Sequence, residues 1–127
     1  MKFLVVDDSK VLIKKISLFL EKLGHQVLGQ AYDGFQGAEL YKTLNPEVVL
    51  LDVTMPNRDG RECLVDIINV NPQAIVVMLS ATKSDDVKKD CKNLGAKAFL
   101  HKDDLIDPET FRLALDQALG QVENKAA

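Results

Sequence analysis

VVLLD at residues 48–52, followed by VTMPNRDG at residues 53–60, carries the strongest signal of fold class in the chain. Val48, Val49, Leu50 and Leu51 form a continuous apolar run, the mark of a β-strand covered on both faces. Asp52 ends the run, and Met55-Pro56 and Asp59-Gly60 mark the loop that follows. Phe3–Val6 and Ile75–Leu79 read the same way. Strands buried on both faces need helices on each side, and right-handed crossovers then impose a doubly wound parallel sheet.

The rest of the chain supplies those helices and two more strands. The spacing predicts helix one over Lys10–Leu23, with Leu12, Ile16, Phe19, Leu20 and Leu23 inward and Gly24 as the stop. Strand two spans His25–Tyr32. Helix two covers residues 34–44 and ends at Asn45-Pro46. Helix three starts near Arg61, buries Leu64, Ile67 and Ile68, and ends before Asn71-Pro72. Ser84 caps helix four, whose narrow apolar stripe is Val87, Cys91 and Leu94, with Gly95 as its end. Ala98–His101 is strand five. Asp107-Pro108 opens helix five, which buries Phe111, Ala114, Leu115, Ala118 and Leu119. Residues 1–121 form one domain and residues 122–127 a short polar tail, with no output domain expected.

Composition narrows the class. The chain has 127 residues, enough for one substantial core. A net charge of −3 argues against a nucleic-acid binder, which would carry a basic stripe. No run approaches the roughly 20 apolar residues that span a bilayer, and the sequence enters a strand directly after Met1-Lys2. A cytoplasmic protein without membrane attachment is expected, with Cys63 and Cys91 as reduced core thiols.

All strands of such a sheet point their carboxyl ends to one edge. Asp7, Asp8, Asp52, Ser80 and Lys102 each stand at or just past a strand end, so they converge there. Three clustered carboxylates repel one another unless a proton or a cation intervenes. Mg²⁺ suits hard oxygen ligands and is completed by substrate phosphate. With that charge neutralised, Asp52 can act as a covalent nucleophile toward a phosphoryl group, yielding an acyl phosphate. Lys102 can pair with a phosphoryl oxygen as a point charge, and the Ser80 hydroxyl can donate to another. Each residue also has a plain structural role available: helix capping for Asp7-Asp8, a turn for Asp52 and Ser80, a solvated surface for Lys102. Their coincidence at one edge is what favours chemistry.

Four segments in this order carry a resemblance: Phe3 to Ser9, Asp52 to Gly60, Leu79 to Ala81, and Gly95 to Phe99 leading into Lys102. The chain resembles the receiver domain of two-component response regulators, in particular the single-domain chemotaxis type, over residues 2 to about 120. The resemblance implies a flavodoxin-like α/β fold with strand order 2-1-3-4-5 and five helices. It implies Asp52 as phospho-acceptor, Asp8 as direct Mg²⁺ ligand with Asp7 assisting, and the Thr54 backbone carbonyl as a further ligand. It implies Ser80 and Phe99 as switch residues and Lys102 as the phosphoryl-contacting lysine. Helix four, strand five and helix five would be the surface that a downstream protein target reads. The donor would be a histidine kinase or a phosphotransfer protein, and the protein a monomer or weak dimer.

Two positions depart from the family pattern. Asp103 stands where proline usually follows the lysine, and Phe99 where chemotaxis members commonly have tyrosine. A cis bond without proline costs about 2.5–4 kcal/mol, so the Lys102-Asp103 peptide is either trans or strained. Three other functions compete. An aspartate-nucleophile phosphatase of the haloacid dehalogenase type would place its nucleophile after strand one and begin Asp-x-Asp, which Asp7-Asp8-Ser9 does not. A flavin carrier would need a Ser/Thr/Gly-rich phosphate loop after strand one. A receiver working without phosphate is the third.

Overall fold

The computed structural model describes residues 1–120, and of residues 121–126 only the backbone of the last helix. Where a polar tail is expected, the helical backbone continues through residue 126, and residue 127 lies outside the described residues. The elements run β1 (Lys2–Val6), α1 (Lys10–Lys22), β2 (Gln26–Ala31), α2 (Gly34–Leu44), β3 (Val48–Asp52), α3 (Gly60–Val70), β4 (Val76–Ser80), α4 (Asp85–Asn93), β5 (Ala98–His101), a 3₁₀ turn (Lys102–Asp104) and α5 (Pro108–Ala126). The strands form one parallel sheet in the order β2-β1-β3-β4-β5. This is the doubly wound, flavodoxin-like arrangement expected.

β1, β3 and β4 occupy the middle and are buried almost end to end, which is why they are apolar without alternation. Their side chains divide by parity between two cores. Phe3, Val5, Leu50, Val77 and Leu79, joined by Leu100 of β5, meet α1 and α5 through Ile13, Ile16, Leu20, Phe111 and Leu115. Leu4, Val6, Val49, Leu51, Val76 and Met78 meet the other helices through Tyr41, Cys63, Leu64, Ile67 and Cys91.

Helix starts follow side-chain chemistry. Ser9 Oγ accepts from Leu12 N–H, Asp33 Oδ1 from Gln36 N–H, and Asp107 Oδ1 from Thr110 N–H. Asp59 and Glu62 form a reciprocal capping box, so α3 begins one residue before the expected Arg61. Gly24 and Gly95, both at positive φ, end α1 and α4 as the sequence suggests.

Several details differ from the expected pattern, among them Ala114 and Leu119 of α5, which are only partly buried. α1 turns Ile13 and Ser17 fully inward and leaves Leu12 and Leu23 only partly covered, because its phase follows 13, 16 and 20. Ile68 is half-buried, packed beside Gly95. Leu94 is 36% exposed, so Cys91 is the one fully buried side chain of α4. β3 and β4 each run one residue further, so Asp52 and Ser80 lie within strands rather than after them. Cys63 and Cys91 are free and buried. Burial pushes the Cys63 thiol up to about 12 and raises that of Cys91, which disfavours both thiolates.

Candidate functional site

Strand register brings the site together. Val6 pairs with Leu51, so Asp7 emerges level with Asp52. Asp52 pairs with Leu79, putting Ser80 one step beyond, and Ser80 pairs with His101, putting Lys102 just past that. Asp7, Asp52 and Ser80 are the polar groups buried at this edge, at 0%, 4% and 5% exposure, while Asp8 stays exposed. A cleft of about 330 Å³ opens onto Asp8, Asp52, Thr54, Ser80, Arg61 and Lys102.

The loop beneath is fixed by close backbone approach. Gly60 N–H donates to the Val53 carbonyl at 2.8 Å. A Cβ at Gly60 would lie 1.9 Å from the Asp52 carbonyl oxygen, so no side chain fits. Asn57 supplies the positive φ (65°) that turns the loop, and its amide donates to Asp33.

Lys102 bridges the two buried acids. Its Nζ lies 3.1 Å from Asp52 Oδ1 and 3.2 Å from Asp7 Oδ2. Burial opposes the ammonium's charge, but Asp52 and Asp7 outweigh it and hold the Lys102 pKa above the ordinary lysine value. Burial, then the negative charge of Asp7, pushes Asp52 up to about 6, with Lys102 opposing both. Asp7 Oδ1 accepts from Ser9 N–H at 2.9 Å. Asp7 Oδ2 is buried without a hydrogen-bond partner; the nearby Nζ is within ion-pair distance but outside hydrogen-bond geometry.

A divalent cation fits this arrangement. Carboxylate oxygens of Asp7, Asp8 and Asp52 lie within 4.8 Å of one another. They are hard donors in excess of the positive charge that Lys102 supplies, and Asp7 Oδ2 is a buried acceptor left unsatisfied. Thr54 lines the same cleft from an exposed position in the loop after β3.

The remaining expected residues surround the cleft. Ser80 Oγ donates to the Thr82 carbonyl at 2.9 Å and accepts from Thr82 N–H at 3.1 Å. Phe99 is half-buried, packed against the core beneath α3 and α4, and with Ser80 and His101 it lines an adjoining cavity. No peptide bond among the described residues is cis, so Lys102-Asp103 is trans. The Asp103 carboxylate, 77% exposed, lies 3.2 Å from His101 Nδ1. The 3₁₀ turn forms because Asp103 has an N–H to give, and His101 Nδ1 accepts it at 3.1 Å.

Sequence reading missed three contributors: Arg61 on the cleft wall, Thr82 as the holder of Ser80, and His101 as the cap of the Lys102 turn. Only Arg61 left a local signal, a cation in the first turn of a helix, where the macrodipole favours anions.

Comparison with known proteins shows the family and supports the fold. Residues 3–116 match the family described as response regulator receiver domain. The chemotaxis protein CheY of Treponema pallidum is 38% identical over 103 residues, covering 80% of this chain and 72% of that protein. Protein CcdB of Bacillus subtilis is 41% identical over 101 residues, covering 80% of this chain and 84% of that protein. A chain in the crystal structure of the CheX–CheY–BeF₃–Mg²⁺ complex from Borrelia burgdorferi superposes with a TM-score of 0.85 at 31% identity. That match covers 94% of this chain and 89% of the other.

Proposed function

Because the chain belongs to the response regulator receiver family, we propose that it is a switch controlled by phosphorylation of Asp52. The observation that carries this reading is the buried Asp52 carboxylate, 3.1 Å from the Lys102 ammonium and clustered with Asp7 and Asp8 at the cleft.

The phosphoryl donor is a phosphohistidine of a histidine kinase or phosphotransfer protein. An Asp52 carboxylate oxygen forms a bond to phosphorus as the donor's P–N bond breaks. The leaving imidazole nitrogen keeps the electron pair and takes up a proton. Asp7, Asp8, Asp52 and the Thr54 carbonyl would hold Mg²⁺, which supplies charge neutralisation at the phosphoryl oxygens. The B. burgdorferi relative, solved with BeF₃ and Mg²⁺, supports that assignment. Lys102, already at Asp52 Oδ1, shifts its contact to a phosphoryl oxygen. Ser80 gives up its bond to the Thr82 carbonyl and donates to another.

Output follows from that exchange. Releasing Thr82 frees the segment that leads into α4, and Phe99 turns toward the space that Ser80 leaves. The face formed by α4, β5 and α5 changes shape and is read by a downstream protein. The domain acts as a switch that catalyses only its own phosphorylation and dephosphorylation.

Labelling with acetyl phosphate and Mg²⁺, followed by intact mass and peptide mapping, tests the acceptor. The wild-type protein gains one phosphoryl group on Asp52, and Asp52→Asn gains none. Undiminished labelling of the variant would sink the assignment. Steady turnover of a generic phosphate ester would instead support a phosphatase.

A further inference from the structure

Arg61 lines the cleft that opens onto Asp52, Ser80 and Lys102. It follows Gly60 in the first turn of α3, where a cation faces the positive end of the helix dipole. Asp59 and Glu62 already satisfy that helix start through the capping box.

Its bonding is also unlike that of the other arginines. Arg58 is gripped by both oxygens of Asp66 and by Glu62, and Arg112 by Glu109 and Asp116. Among the described residues, Arg61 makes one ion-pair contact, Nη1 to Asp90 Oδ2 of α4 at 3.3 Å. The guanidinium carries five N–H donors, so most of them have no protein acceptor. The two side chains are 42% and 59% exposed. An exposed pair of this kind is worth about 0–1 kcal/mol, so Asp90 is easily displaced by a more highly charged anion. Phosphoryl oxygens match the guanidinium fork better than a single carboxylate contact does.

We propose that Arg61 binds the incoming phosphoryl donor, exchanging Asp90 for non-bridging oxygens of the phosphoryl group. This rests on the reading of Asp52 as acceptor. No bond is made or broken at Arg61; it captures and orients a tetrahedral oxyanion at the mouth of the cleft. Because Asp90 belongs to α4, arrival of the donor also unties α3 from α4.

The test is the second-order rate of Asp52 labelling by phosphoramidate with Mg²⁺, beside the rate at which the isolated acyl phosphate decays. Arg61→Gln should slow labelling roughly tenfold, the scale of one lost charge-assisted hydrogen bond, while decay stays within about twofold. Arg61→Lys should recover part of the rate, because charge returns without the fork. Asp90→Asn should label as fast as wild type or about twofold faster, since it frees the guanidinium. Arg112→Gln, which removes the same charge on α5, should leave labelling unchanged. Wild-type labelling by Arg61→Gln overturns the proposal. So does a parallel loss of labelling and decay, or an equal loss in Asp90→Asn. Absence of label on the wild-type protein would overturn the acceptor reading beneath it as well.

Discussion

Asp52 is a carboxylate in tension with its surroundings. The strand that carries it is buried, a second buried acid stands beside it, and one ammonium serves both. Its pKa, raised from 3.8 to about 6, means that the fold favours the protonated form. That contribution is fully present below the unfolded value and is lost as pH rises through about 6. Metal-free Asp52→Asn should therefore be more stable than wild type at pH 8, by roughly 1–3 kcal/mol, with the gap closing near pH 4. Urea unfolding in chelator at both pH values measures this; a gap that grows toward acid pH contradicts it. Gly60 is the second sensitive residue. In Gly60→Ala the new methyl meets the Asp52 carbonyl and Val53 Cα, both backbone atoms that cannot step aside. We expect a loss of at least about 2 kcal/mol together with impaired labelling, read by denaturation and mass spectrometry. The convergence of Asp7, Asp8, Asp52, Ser80 and Lys102 was legible because each stands at a strand end. Arg61 was not, because its place on the cleft wall depends on how α3 sits above the sheet edge.

Among the elements, α4 is the loosest. Its inward face offers Val87, Cys91 and Leu94, and only Cys91 is fully buried. α1, by contrast, buries Ile13, Ile16, Phe19 and Leu20. Helix stability in proteins comes mainly from packing an apolar face, so α4 has little to hold it. Hydrogen exchange should find α4 amides opening well before those of α1, and comparable protection of both would refute this. A weakly anchored helix beside Ser80 suits a switch, since little contact is lost when it moves. The stripe at Val87, Cys91 and Leu94 was readable from the sequence. Leu94's exposure was not, because it depends on where Gly95 turns the chain away.

At the scale of the whole molecule, folding and site assembly are one event. The acids come from β1 and β3, and the ammonium from just beyond β5, so the site exists only when the sheet is closed. An Mg²⁺ ion that binds only the folded site stabilises by mass action, about 2.7 kcal/mol at a hundred times its dissociation constant. Mg²⁺ should therefore raise the melting temperature of the wild-type protein. The rise should disappear with chelator and largely disappear in Asp8→Ala, as differential scanning calorimetry would show. An unchanged rise in Asp8→Ala would remove Asp8 from the ligand set. Residue order alone sets the alternation of strands and helices, because apolar periodicity and capping residues are local. It also placed Asp7, Asp8, Asp52, Ser80 and Lys102 at strand ends, and parallel crossovers send all such ends to one edge. How those groups pair is set by packing of the folded chain: Lys102 between Asp7 and Asp52, Ser80 held by Thr82, Asp103 turned toward His101. The reason is physical. Periodicity records which face of an element is buried, whereas a distance of 3.1 Å between charges depends on register, helix phase and backbone approach summed over several elements.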